Sequence, residues 1–301
     1  MNPNPLRLSL GRRLWQGRWG YFFVAPAVVS VTLFAFYPLI QCVVYSFQKH
    51  LIGSTSWVGL ANFKYTLTDG IFWKTMANTL VYTIGVVPVS IAIGLFLSVL
   101  IFSQKAKVQA FFKSAYYLPG VVSAVIVGLI WSWLFFPDRQ GILNYLLSFL
   151  GQEEPIRWLG EKSTAMPSLI FMTVMGGPGM SIILFTAAMG NIPASLYESA
   201  RLEGASAWKE FRYITLPLLR PVLLYLLVMT TITSFNVFEY IYTMTRGGPA
   251  NSTKTIVYLI YETAFQEVDF GVACAQAMVL FVILIVVSIV QFRWLSSDVE
   301  Y

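Results

Sequence analysis

Residues able to carry catalysis are sparse in this 301-residue chain, and those present are spaced for binding rather than for bond breaking. The lone histidine, His50, stands at the outer end of an apolar run. The two cysteines, Cys42 and Cys274, fall inside two different runs, where neither is placed for a structural disulfide. A tetrahedral zinc site needs several such ligands at short spacings, so no metal site is expected. A Ser-His-Asp triad would have to use His50, with no nucleophile elbow to present the serine. No GxxxxGK[ST] loop occurs, so the chain itself should bind no ATP and no other cofactor. What remains is a polar cluster within an apolar stretch: Thr230, Thr231, Thr233, Ser234, Phe235, Asn236, Phe238, Glu239 and Tyr240. Hydroxyl and amide groups beside aromatic rings suit a hydroxyl-rich solute. An ionised group at bilayer depth costs about 2.5–3.5 kcal/mol on insertion scales. Glu239 therefore either lines a polar path or snorkels to the outer boundary. Asn236 either touches solute or makes an interhelical hydrogen bond worth about 0.6–2 kcal/mol.

A second constellation runs from Glu198 to Pro217, ESARLEGASAWKEFRYITLP, between two apolar stretches. Ser195 stands three residues before Glu198, the spacing of a capping box that starts a helix. Leu196, Ala200 and Leu202 with Tyr197 and Arg201 give that helix an apolar and a charged side. Gly204 falls where a left-handed C-terminal cap would end it. Ser206 offers a second N-cap, and Trp208, Phe211 and Ile214 recur at helical spacing until Pro217, which is expected to close the element. Two short helices pinned by caps about a glycine turn can transmit force, which an unstructured loop would absorb.

The elements that must position these groups are membrane helices. Hydrophobic residues make up 57% of the chain and charged residues 11%, against roughly 25% charged in a soluble domain. A bilayer core of about 30 Å needs roughly 20 helical residues. Six stretches qualify: Tyr21 to Phe47, Thr79 to Phe102, Ala115 to Phe136, Met166 to Met189, Leu218 to Tyr242 and Val272 to Phe292. The expected fold is an all-α integral membrane protein of six transmembrane helices with a cytoplasmic loop between the fourth and fifth.

Arg7, Arg12, Arg13 and Arg18 precede the first stretch, Lys105, Lys107 and Lys113 follow the second, and Arg201, Lys209 and Arg212 follow the fourth. The positive-inside rule places these segments and both termini in the cytoplasm. The organisation expected is a cytoplasmic segment 1–20, one membrane domain 21–293 with its loop at 191–217, and a cytoplasmic tail 294–301. The net charge of +6 follows from this topology, and with no soluble basic domain a nucleic-acid partner is not expected. Prolines and glycines punctuate the spans, at Pro26, Pro38, Pro88, Pro119 and Gly176-Gly177-Pro178-Gly179, marking either bent helices around a cavity or kinks in a static bundle. Gly141 to Gly151 reads as a short amphipathic helix outside the bilayer.

The segment Glu198 to Pro217 resembles the EAA loop of the membrane subunits of binding-protein-dependent ABC importers. Glu198 and Ala200 fit its opening, Gly204 its fixed glycine, and Ile214, Leu216 and Pro217 its close, while Ser199 replaces a usual alanine and Glu203 a common aspartate. The segment Arg246-Gly247-Gly248-Pro249 and its flanks are similar to the GGP-bearing region of sugar permeases like the larger membrane subunit of maltose importers. The resemblance spans most of the chain from Tyr21 onward.

It implies that Glu198, Ser199, Ala200, Arg201, Leu202, Glu203, Gly204, Ala205, Phe211, Ile214, Leu216 and Pro217 couple to a separate ATPase subunit. It implies that Gly179, Phe235 and Asn236 lie on a sugar path, and that Gly247, Gly248 and Pro249 face an external binding protein. The partners implied are a second permease, two ATPase subunits using ATP and Mg, a solute-binding protein, a carbohydrate or polyol, and the lipid of a bacterial inner membrane. An ion-coupled secondary transporter is the alternative, with Glu239 as its embedded acid.

Overall fold

The computed structural model describes residues 18–51 and 54–295. Arg7, Arg12 and Arg13 and residues 296–301 lie outside the described residues. The chain forms α1 (Arg18–Ser46), a hairpin of β1 (Gln48–Leu51) and β2 (Ser54–Trp57), α2 (Ala61–Thr68) and α3 (Gly70–Phe102). There follow α4 (Ala106–Val121), α5 (Ala124–Leu134), α6 (Ile142–Ser148), α7 (Lys162–Gly176), α8 (Gly179–Gly190), α9 (Ala194–Leu202), α10 (Ala207–Leu218), α11 (Arg220–Phe235), α12 (Ile256–Tyr261) and α13 (Phe270–Leu295).

Length and composition let α1, α3 and α13 each cross a bilayer, and three bent pairs complete up to six spans. Bends are expected at the prolines and glycines, and three of the spans are broken, one of them by a right angle. The expected third span is α4 and α5 meeting at 96°, with Val122 extended at the break. Hydropathy adds up residues without regard to direction, so it reads a right-angled pair as one helix. The fourth breaks by 42° at Gly177-Pro178, within the expected punctuation, and the fifth starts after a 64° bend at Leu219 and ends at Phe235 instead of Tyr242. The hairpin is a small addition to an otherwise helical fold, its strands antiparallel with Lys49 opposite Ser56.

Helix α3 is the hub. Asp69 caps it, its carboxylate accepting from the amides of Ile71 (2.9 Å) and Phe72 (3.3 Å). It packs on α7, α8 and α11, while α13 packs on α2, α11 and the second half of α1. Three apolar clusters follow: Tyr82, Val86, Met166, Leu169 and Ile241; Phe72, Met76, Phe235, Ile256 and Leu280; and Val87, Ile91, Phe185, Met189 and Leu219. Lipid tails are as apolar as leucine, so polar bonds and close approach must supply specificity between helices. Gln291 Nε2 donates to Thr231 Oγ1 across α13 and α11 (2.8 Å), and the Ile256 amide at the start of α12 donates to Thr79 Oγ1 of α3 (3.0 Å). Cys42 and Cys274 are free thiols on α1 and α13, helices that pack on each other. By contrast no residue of Arg18–Val31 is buried.

Candidate functional site

The loop between α8 and α11 is a rigid two-helix unit. α9 starts after Pro193, not at a capping box: Ser195 lies within the helix, and no side chain caps its start. Proline presets the extended-to-helical entry without needing a side-chain acceptor for its own absent N–H. At the other end Gly204 takes φ +77, its amide donating to the Arg201 carbonyl (3.0 Å) and the Ala205 amide to the Ala200 carbonyl (2.9 Å). This is the paired bonding of a Schellman cap, which satisfies two terminal carbonyls. Ser206 has the extended backbone of an N-cap but makes no side-chain cap bond.

The second helix ends at Leu218, one residue past Pro217 and close to the expected end, and a 64° bend follows. A π-helical turn over Phe211–Thr215 precedes Pro217. The wider i to i+5 bonding accommodates the donor that proline lacks.

Three side-chain bonds from two residue pairs tie α9 to α10. Arg201 grips Glu210 through a fork, Nε to Oε1 at 2.8 Å and a second nitrogen to Oε2 at 3.2 Å, and Tyr197 Oη meets Thr215 Oγ1 at 2.9 Å. The guanidinium holds the Glu210 carboxyl below the usual carboxylate range, and Arg201 is raised in return. Sequence reading missed both ties, which join residues across the glycine turn. Held by them, the unit turns Leu202 (90% exposed), Trp208 (70%) and Tyr213 (73%) outward, with Glu198, Ser199 and Glu203 also exposed. Phe211, Ile214, Leu216 and Pro217 are half-buried toward the bundle.

The second feature is a cleft of about 440 Å³ walled by α3, α7, α8, α11 and the broken stretch after Phe235. Its polar groups are the hydroxyls of Tyr82, Ser90, Thr173, Ser181, Tyr225, Thr230, Thr233, Ser234 and Tyr240, with Asn236 and Glu239. Tyr82 Oη and Thr173 Oγ1 bond at 2.8 Å, joining α3 to α7. Asn236 donates to the Ile232 carbonyl at 2.8 Å, and among the described residues its amide oxygen has no partner. The Glu239 carboxylate likewise has none there, since only its backbone carbonyl is bonded, by Thr243.

Asn236 and Glu239 therefore share a cavity wall. Phe235 does not: it is 1% exposed, packed with Phe72, Met76 and Ile256. Asn236 ends α11 there, so the neighbouring side chains leave in different directions. Gly179 sits at the start of α8 against the backbone of Tyr116 and Tyr117, where a Cβ would clash, and it serves close packing rather than the cleft. The reading missed Tyr82, Ser90, Thr173, Ser181 and Tyr225. Tyr82, Val86 and Ser90 do recur at i, i+4 and i+8 on one helix face, the one local signal available.

The Gly247–Pro249 turn is clamped rather than projecting. Gly247 is buried at φ +78 against Lys254, Lys74 Nζ donates to the Ala250 carbonyl (2.9 Å), and Asn78 Nδ2 reaches the carbonyls of Asn251 (2.8 Å) and Lys254 (2.9 Å). Lys254 pairs with Glu262 at 2.5 Å beneath it. Arg246 and Ala250, not Gly247, are the exposed members.

A broken-helix bundle around a hydroxyl-lined cleft, with a rigid paired-helix loop at one end, defines a membrane transport subunit. The chain belongs to the family of binding-protein-dependent transport system inner membrane components, whose model matches residues 90–300. It is 33% identical over 278 residues to the arabinooligosaccharides transport system permease protein AraP of Bacillus subtilis, covering 92% of this chain and 88% of the relative. It is 31% identical over 277 residues to the lactose transport system permease protein LacF of Rhizobium radiobacter, covering 91% and 92%. It is also 31% identical over 296 residues to the multiple sugar-binding transport system permease protein MsmF of Streptococcus mutans, covering 96% and 99%.

In fold it is similar to a chain of a bacterial alginate ABC transporter solved with an alginate-bound periplasmic protein, with TM-score 0.83, 23% identity, and coverage of 94% and 96%. The chain is thus a permease subunit of an ABC transporter and not an enzyme. The ion-coupled alternative finds no support in these comparisons.

Proposed function

We propose that this chain forms one half of the translocation path of a carbohydrate importer, with the cleft between α3, α7, α8 and α11 as its share of the solute site. The observation that carries this reading is the lining itself: nine hydroxyls, the Asn236 amide and one carboxylate converge from elements far apart in sequence. Such a surface can replace part of the water around a polyhydroxy solute, while the exposed Tyr225 and half-buried Tyr240 offer rings beside it. The names of the relatives, which specify arabinooligosaccharides, lactose and multiple sugars, support the same solute class.

In this reading residues 21–293 act as one membrane domain, with 1–20, 191–217 and 294–301 on the cytoplasmic side, as the placing of the basic residues favours. The exposed Arg18–Val31 stretch meets lipid and a second permease. The outward Leu202 and Trp208 of the α9–α10 unit seat in one of two ATPase subunits, which use ATP and Mg. The end bearing Arg246 to Ala250 receives the external binding protein. Closure of the ATPases pushes the pinned unit, and the bundle alternates between outward and inward access.

Reconstitution in liposomes with the partner chains and binding protein tests this. ATP-dependent uptake of a neutral oligosaccharide that persists with an uncoupler is expected. Uptake abolished by the uncoupler while ATP is held constant would overturn it.

A further inference from the structure

We infer that the cleft is a charge filter set by Glu239, admitting neutral or cationic saccharides, such as amino sugars, and rejecting uronate-bearing chains. The inference rests on the reading of the cleft as the solute path. Its lining contains one carboxylate and no lysine, arginine or histidine. Glu239 is exposed to the cleft and, among the described residues, has no ion-pair or hydrogen-bond partner for its carboxylate. Both described ion pairs, Arg201–Glu210 and Lys254–Glu262, are elsewhere and use their cations fully on other acids.

A carboxylate among apolar spans is expensive unless something gains from it. A lining that only had to hydrogen-bond hydroxyls could use the amide of glutamine, so the uncompensated charge points to selection by sign. In a low-dielectric cleft an unscreened like charge within a few ångströms disfavours entry by about tenfold or more, and an opposite charge favours it comparably.

The external binding protein also selects solute, so the test must read the cleft without it. Thr233 lines the cleft and is exposed there, and Thr233→Cys places a thiol in the same cleft as the carboxylate. The reaction of this thiol with a cationic and an anionic methanethiosulfonate of similar size is timed in the reconstituted complex, in a Cys42→Ala/Cys274→Ala background. The rates are normalised to those of a free thiol in solution. The cationic reagent should react about tenfold faster or more; Glu239→Gln should bring the ratio close to one, and Glu239→Asp should keep it.

An unchanged ratio in Glu239→Gln, or equal rates in the parent, would overturn the filter. The same labelled complex separates this from the path reading. If modification at position 233 blocks uptake while the ratio ignores Glu239, the path stands and the filter fails. If modification leaves uptake intact, the path reading itself fails, and the filter with it.

Discussion

The α9–α10 unit and the cleft are built in opposite ways. The unit is closed by contacts inside one short segment: the cap at Gly204, the Arg201–Glu210 fork and the Tyr197–Thr215 bond. The cleft is assembled from residues between Tyr82 and Tyr240 that meet only because two bent spans, α7–α8 and α10–α11, pack on α3. On the proposed reading the difference has a use: local bonds would let the unit pass force between subunits, and helix breaks would let the cleft open and close by changes in φ and ψ that leave whole helices intact.

If this contrast is right, mutations should sort by region. The largest effect is expected from Gly179→Ala, which drives a Cβ into the Tyr116–Tyr117 backbone and must push α8 off α4. Overpacking of this kind costs about 1–3 kcal/mol. Thermal unfolding in detergent should show the loss, with uptake falling and ATPase co-purification largely kept. Loss of ATPase binding at equal yield would break the division between the regions.

Next is Gly204→Val. Nothing lies within 4 Å of the site, so only the left-handed backbone at φ +77 resists a side chain, at about 1–2 kcal/mol. ATPase association should weaken about tenfold, and the cleft, probed by thiol labelling at position 233, should be unchanged.

A smaller effect is expected from Asn236→Ala, which removes one amide worth about 1 kcal/mol in hydrogen bonding. The KM for uptake should rise about five-fold, with the yield of the complex preserved; unaltered kinetics would remove Asn236 from the path.

The smallest effect belongs to the Arg201–Glu210 fork, which is exposed to solvent and screened by salt. Its pH dependence has a definite sign. The Glu210 carboxyl is depressed below its ordinary value of 4.5, so the pair contributes fully above that value and is lost as pH falls through the lower folded one. ATPase coupling should therefore be flat from neutral pH down to about 5, and Glu210→Gln should mimic the acid loss. A change centred near pH 7 would place the sensitive group elsewhere.

Much of the loop was legible because its signals are local. Gly204 reads as a left-handed cap from its place after Leu202 and Glu203, and its backbone conformation depends on a few neighbours. Pro217 is legible for the same reason: a proline predicts a helix end, and α10 stops one residue beyond it, after a π-turn over Phe211–Thr215. In the cleft, Asn236 and Glu239 stood out as polar groups in an apolar run. Phe235, adjacent to both, belongs to the core instead, because the helix ends between it and Glu239 and no periodicity carries across such a break. Tyr82 and Ser90 look like ordinary members of a long apolar helix until α7 and α8 are set beside them.

By itself, the amino-acid sequence determined that the chain is a helical membrane protein, where its apolar runs lie, which residues carry charge, and where the glycine turn falls. These follow from transfer free energy and backbone sterics, which act residue by residue. Only the tertiary structure decided the 96° bend between α4 and α5, the packing of α13 on the second half of α1, and which hydroxyls face one cavity. In lipid every apolar face is tolerated, so the choice among faces falls to close packing and a few interhelical hydrogen bonds, and those are made between residues far apart along the chain.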